Sequence, residues 1–300
     1  MYRIRKKALK IRAVLSNPGR PFFFAFFLFE GVFMKIAYSG IEGAFAHIAT
    51  KRIFNGEELV SFSDFRSAYE AVENGTCDYA VLPIENSYAG EVAQVTDLMF
   101  QGNLFLNGVY SLNVIQNLLG TDGTELKDIK NVISHPQALE QCADFIRAHG
   151  YKTTEALNTA RAAKQVAELN DKTTAAIASR ETAEIYGLKI LAEGINEKED
   201  NTTRFAILSR DGKMRFSENE NTVVIMFTVK NEAGALVKVL NKLGEFGFNM
   251  SVIRSRPLKG LAWRYYFYIE AEGKYGTPEW EQMILEMKYR CDKLKVLGRF

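Results

Sequence analysis

Short apolar runs alternate with helical stretches from Met34 to Ser179, and this alternation limits the chain to an α/β fold more tightly than any other feature. A strand over 34–38 runs through Ser39-Gly40-Ile41-Glu42-Gly43 into a helix over 44–54. A second strand over 59–62 precedes Asp64, which caps a helix over 65–74 whose apolar face is Phe65, Ala68, Tyr69 and Val72. Gly75 stops that helix, and 79–83 reads as a buried strand. The chain is extended over 104–119 and turns at 120–123. Strands over 132–133 and 175–179 flank one helix, which Ser134 caps and Pro136 starts, and a second over 160–169 capped by Asn158-Thr159. Such a pattern predicts a mostly parallel sheet. Exchanges near 104 and over 186–205 divide it into two lobes with a ligand cleft between them.

Two clusters stand where chemistry is expected. Glu85, Asn86 and Ser87 place an acid, an amide and a hydroxyl at the C-terminal end of a strand, the usual ligand edge of an open α/β sheet. A helix cap by Asn86 or Ser87 is the equal alternative. Asn201-Thr202-Thr203-Arg204-Phe205 sets two hydroxyls and a guanidinium where a charged loop enters an apolar strand. Taken alone it is an ordinary polar turn. The helix starts near Gly43 and Ser134 offer free N–H groups to an anion, while the isolated His135 reads as structural.

The 300 residues carry a net charge of +2, but unevenly. Residues 1–33 hold seven basic residues against Glu30, a net +6, so the remainder carries −4 and is a poor match for nucleic acid. The phenylalanine-rich run over 22–29 is too short to span a bilayer and lacks a clean cleavage site. Met34 is therefore expected to be the natural start, with 1–33 an unfolded extension and a signal or surface anchor the second reading. Cys77, Cys142 and Cys291 have neither disulfide nor metal spacing and read as reduced cytoplasmic thiols.

Composition turns polar over 210–220, which marks a linker. Beyond it, strand 222–229, helix 235–246, strands 250–256 and 262–270, helix 278–289 and strand 294–297 follow a ferredoxin-like βαββαβ plan. The loop 231–234 ahead of Leu236, Val239, Leu240 and Leu243 is a natural rim for a small ligand.

Residues 34–210, with Gly40 and Gly43, Pro83-Ile84-Glu85-Asn86-Ser87, Ser134-His135-Pro136-Gln137 with Gln141-Cys142, and Thr203-Arg204-Phe205, resemble prephenate dehydratase. Residues 221–300, with Gly234-Ala235-Leu236-Val237 and Ser255-Arg256-Pro257, resemble the ACT regulatory domain that follows the catalytic part in that family. The resemblance implies a two-lobed, periplasmic-binding-protein-like catalytic fold and decarboxylating dehydration of prephenate to phenylpyruvate. It also implies no metal or organic cofactor, and feedback inhibition by L-phenylalanine. Thr203 matches the catalytic threonine. Glu85, Asn86, Ser87, Ser134, Gln141, Arg204 and Phe205 are expected at the substrate, with Glu85 the carboxylate in the cleft. Asn231, Gly234, Ala235, Leu236 and Ser255 are expected at a phenylalanine site between paired ACT units of a homodimer or homotetramer.

Ile41, Ala44 and Ala46 stand where the family often has proline, threonine and serine, so contacts there must come from the backbone. Arg254 replaces the acid of the usual Glu-Ser-Arg-Pro motif, and Val252 a frequent basic residue. Residues 1–33 cannot supply the helices of a fused chorismate mutase. Arogenate dehydratase, and a non-catalytic binder of amino or organic acids, are the alternative readings; neither nucleic acid nor membrane is an expected partner.

Overall fold

The computed structural model describes residues 33–197, 200–212, 216 and 221–300. The expected extension, apart from Phe33, and most of the expected linker lie outside the described residues. Among the described residues no helix is long and apolar enough to cross a membrane.

Strand β1 (Lys35–Ser39), helix α1 (Phe45–Ile53), strand β2 (Glu58–Phe62), helix α2 (Phe65–Glu73) and strand β3 (Tyr79–Asn86) open the first lobe. The Asp64 side chain accepts the Ser67 N–H at the start of α2, as its sequence predicts. Strand β4 (Gly90–Glu91), helix α3 (Ala93–Gln101) and strand β5 (Phe105–Asn113) follow. The chain then crosses to a second sheet through β6 (Asn117–Gly120), β7 (Asn131–Ser134), α4 (Pro136–Gln141), α5 (Ala143–His149), β8 (Lys152–Glu155), α6 (Thr159–Leu169), β9 (Thr174–Ala178), α7 (Arg180–Tyr186) and β10 (Lys189–Ala192). It returns to the first lobe as β11 (Thr202–Ser209).

The expectation of a mostly parallel sheet needs correction. β1 runs parallel to β2 and β3, but β11 is antiparallel to both β3 and β5, and β6 is antiparallel to β9 and β10. Strands that cross between lobes re-enter against the existing direction, so the two exchanges themselves produce the antiparallel pairs.

The last third forms β12 (Thr222–Thr228), α8 (Ala235–Glu245), β13 (Asn249–Pro257), β14 (Tyr265–Glu272), α9 (Pro278–Lys288) and β15 (Lys293–Arg299). These strands are ordered β13-β14-β12-β15, and α8 and α9 pack Val239, Leu243 and Met283 against the face that carries Val223, Ile225 and Phe227. The other face carries Val224, Met226, Tyr266 and Tyr268 into the core of the first lobe, against Leu82, Leu98 and Met99. β15 joins β5 by one parallel pair, Gly298 with Leu106, so a single ten-stranded sheet runs through both parts. A Cβ at position 298 would run into the Leu106 carbonyl, which explains the glycine. From β15, Lys295 Nζ donates to the Met99 and Gly102 carbonyls at the C-terminus of α3, the end of a helix that favours a cation.

Candidate active site

Strand alternation sorts the two sequence clusters onto opposite faces. In the β3–β11 ladder Thr203 lies opposite Asn86 and Arg204 opposite Glu85. Successive side chains on a strand point to opposite sides, so Thr203 and Asn86 share one face while Arg204 and Glu85 share the other. Pro83 has no N–H to give the ladder, and the register shifts opposite it, between Arg204 and Phe205.

The Thr203 face lines a cleft of about 300 Å³ between the lobes. Ser39, Ala44, Phe45, Pro83, Asn86, Thr203 and Phe205 line it from the first lobe, and His135, Gln137, Gln141 and Asn158 from the second. Gln116, on the crossing between β5 and β6, also lines it.

The hydrogen bonds inside this cleft fix the direction of each amide. Asn86 Oδ1 accepts the backbone N–H groups of Tyr88 (3.0 Å) and Ala89 (2.9 Å), so it must be the oxygen. Gln137 Nε2 adds a third donor at 3.1 Å. Asn86 Nδ2 is therefore the donor, to Asn201 Oδ1 at 2.8 Å and to Thr203 Oγ1 at 3.0 Å. Asn201, with its oxygen already used, donates through Nδ2 to Gln141 Oε1 at 2.9 Å. Two groups remain unspent at the end of this chain. Thr203 accepts from Asn86 and keeps its own hydrogen, and Gln141 Nε2 is buried with no acceptor. The site thus presents donors, held in place by a network that begins at the backbone.

Among the described residues, no lysine, arginine, aspartate or glutamate lines the cleft. An anion there would meet helix ends instead. α1 begins beneath Ala44 and Phe45 with no side-chain cap, which leaves its first-turn N–H groups facing a ligand. Burial lowers the pKa of His135 below the usual 6.5, against the opposing pull of Glu155. Its Nδ1 accepts the Gln137 N–H at 3.3 Å, so the neutral ring carries its proton on Nε2. A native pKa below the unfolded one means that the unfolded chain binds the extra proton first. Stability is then complete above about pH 6.5 and falls as pH drops toward the lowered value. His47, whose Nδ1 accepts the Gly43 N–H, is shifted the same way by burial. In melting curves at several pH values, His135→Asn, which keeps an oxygen acceptor at the cap, is expected to flatten part of this acid loss. An unchanged pH dependence would remove His135 from the account.

Several expected positions change. Glu85 and Arg204 do not reach the cleft: Arg204 Nη1 bonds Glu85 Oε2 at 2.9 Å, and the Arg204 fork grips Glu270 at 3.1 and 3.0 Å. Arg254 bonds the other Glu85 oxygen. Ser87 faces the loop, donating to the Asp200 carbonyl and accepting the Thr202 N–H. Ser134 is buried and donates to the Ile177 carbonyl at 2.6 Å. The helix cap is His135, because Pro136 occupies the first helical position. The Gly43 N–H is taken by His47. Asn86, Gln141, Thr203 and Phe205 do lie together at the cleft. Asn231 and Gly234 are exposed on the β12-to-α8 turn, Ser255 is exposed on β13, and Ala235 and Leu236 are half-buried at the start of α8, all outside the cleft. Sequence reasoning missed Gln116 and the bridging role of Asn201.

A two-lobed mixed α/β chain whose cleft, among the described residues, offers unspent polar side-chain groups and no charged side chain defines a protein with a site for a small polar ligand. Residues 36–213 match the prephenate dehydratase family model, and the chain belongs to that family. It is 34% identical to the prephenate dehydratase of Methanocaldococcus jannaschii, covering 88% of this chain and 97% of that one. Arogenate dehydratase 2 of Petunia hybrida is 33% identical, covering 90% and 72%. Among solved structures, the prephenate dehydratase of Arthrobacter aurescens in complex with L-Phe superposes with a TM-score of 0.81 at 26% identity, covering 88% and 89%. A structure described as GqqA, a quorum quenching acylase, superposes at 0.80 with 31% identity, covering 88% and 97%.

Proposed function

We propose that this chain converts prephenate to phenylpyruvate, with loss of water and carbon dioxide, in the cleft beside Thr203. The observation that carries this reading is the Asn86 amide fixed on Thr203 Oγ1, which leaves the threonine hydrogen for a ligand. Membership of the family and relatives named as prephenate dehydratases support the substrate.

The substrate supplies most of the driving force, because its ring becomes aromatic. As the ring carboxylate breaks away as carbon dioxide, its electron pair enters the ring and expels the 4-hydroxyl. One proton per turnover is taken from the medium, so water leaves. Thr203 donates a hydrogen bond to the departing oxygen, an interaction that strengthens as the carbon–oxygen bond breaks. Gln141 Nε2 and the first turn of α1 meet carboxylate oxygens. Asn86 and Asn201 hold these donors in place.

The unit from β12 to β15 is read as an ACT regulatory domain behind a catalytic part over 34–210. L-Phenylalanine is assigned to the loop of Asn231, Gly234, Ala235 and Leu236, with Ser255 of β13, between paired units of a dimer or tetramer. In support, α8 starts at Gly234 without a side-chain cap, and the Arthrobacter aurescens relative is described with L-Phe. Free Cys77, Cys142 and Cys291 suit a reducing cytoplasm.

Arogenate is the second substrate to test, because relatives named for it are equally similar. Purified protein should form phenylpyruvate from prephenate, and millimolar phenylalanine should suppress it. Turnover of arogenate alone would transfer the reading to that substrate, and no turnover of either would leave a binding protein.

A further inference from the structure

The crossing from β5 to β6 carries Gln116, whose backbone is clamped on both sides. Its N–H donates to Asn196 Oδ1 at 3.0 Å, and its carbonyl accepts the Ile195 N–H at 2.9 Å. The side chain lines the cleft and is 2% exposed, yet its Oε1 meets no donor. Most buried acceptors find a partner, so a lone one in a cleft points to a ligand group.

Four other amide oxygens of this cleft are occupied. Asn86 Oδ1 takes three donors, Asn201 Oδ1 takes Asn86, Gln141 Oε1 takes Asn201, and Asn158 Oδ1 takes the Arg161 N–H. Gln116 Oε1 and Gln141 Nε2 are the buried unpartnered side-chain atoms among the described lining residues, one acceptor and one donor. On the reading above, the ligand is a dianion with two carboxylates and a keto oxygen, all acceptors. Its sole donor is the 4-hydroxyl.

We propose that Gln116 contacts the substrate directly and accepts the hydrogen of the departing 4-hydroxyl. This contact turns the hydroxyl lone pair toward Thr203. When Thr203 donates to that oxygen, the bound O–H is a stronger donor, which holds the hydroxyl between the two residues before the carbon–oxygen bond breaks. As negative charge then develops on the oxygen the bond to Gln116 loosens, so Gln116 orients the leaving group and Thr203 stabilises it. Gln116 is not protonated. The hydrogen stays on the leaving oxygen and departs with it as water.

The inference rests on the dehydratase reading, and wild-type turnover separates the two. Gln116→Leu, assayed with prephenate beside wild type, is expected to lower kcat/KM about 10- to 100-fold, because the hydroxyl lone pair is no longer held toward Thr203. Its Tm should be unchanged or higher, because a buried acceptor without a partner has been removed. Gln116→Glu keeps an oxygen in place but sets a negative charge beside a dianion. It should retain more of kcat than the leucine variant and raise KM at least tenfold. A kcat/KM for Gln116→Leu within twofold of wild type would overturn the proposal, and so would a Tm several degrees lower, which would show that Oε1 has a partner inside the protein. Absence of wild-type turnover with prephenate overturns the substrate reading itself, and this inference with it.

Discussion

Thr203→Val should lose about 10²- to 10³-fold in kcat, the range found for removal of one placed donor at a developing charge. KM should move less than about threefold, because the bond matters most while the hydroxyl departs. Valine has nearly the shape of threonine, so packing beside Phe205 and Leu112 is retained. Asn86 Nδ2 keeps Asn201 Oδ1 at 2.8 Å as an acceptor, so the network survives the change. Loss of one hydrogen bond with the other partner still satisfied predicts a stability change of about 1 kcal/mol. Thr203→Ser should retain most activity, since the hydroxyl remains. Steady-state kinetics with a melting curve decide the matter. An unchanged kcat in the valine variant removes Thr203 from the chemistry, and a large fall in Tm assigns its role to folding.

Several helix starts of this chain were legible from local chemistry, although the cap ahead of Pro136 fell on His135 rather than Ser134. Asp64, Asn158 and Pro278 each mark a helix start by a mechanism confined to a few residues, and each helix begins there. α3 was not legible, because it is wrapped on every side. Val95, Thr96, Asp97, Leu98, Met99 and Phe100 are all buried, so no polar face remains to set a helical period. Asp97 shows why: its partners Arg256 and Tyr266 arrive from strands about 160 residues away. The assignment of both Thr203 and Arg204 to the substrate was avoidable. Neighbours on a strand face opposite ways, and Glu85 and Asn86 separate by the same rule. What no local rule contains is the occupant of the far face, because Glu85 and Arg254 are 169 positions apart in sequence.

That far face yields the second large effect. Glu85, Arg204, Glu270 and Arg254 form a cluster of two acids and two bases, with the Glu270 side chain only 5% exposed. Tyr268 donates to Glu270 Oε1 at 2.7 Å and lies beneath the Arg254 guanidinium at 5.4 Å. Glu85→Leu would leave two arginines to share one carboxylate. Breaking a buried pair costs about 3–5 kcal/mol, and because Glu85 is a quarter exposed, about 2–4 kcal/mol is expected, or roughly 5–15 °C in Tm. Removing Arg254 as well, as in Glu85→Leu with Arg254→Leu, deletes one charge of each sign and leaves the Arg204 fork on Glu270 intact. The double variant should recover at least half of the loss, a coupling well beyond the scatter of independent sites. Arg254→Glu, which restores the acid common at this position in the family, should also destabilise, since it sets a third carboxylate beside Glu85. Glu85 and Arg204 adjoin Asn86 and Thr203 in sequence, so loosening the cluster should lower kcat several-fold with little change in KM. Additive losses would show that Glu85 and Arg254 act independently. A steep rise in KM for prephenate at unchanged Tm would return Glu85 to the substrate, where sequence alone had put it.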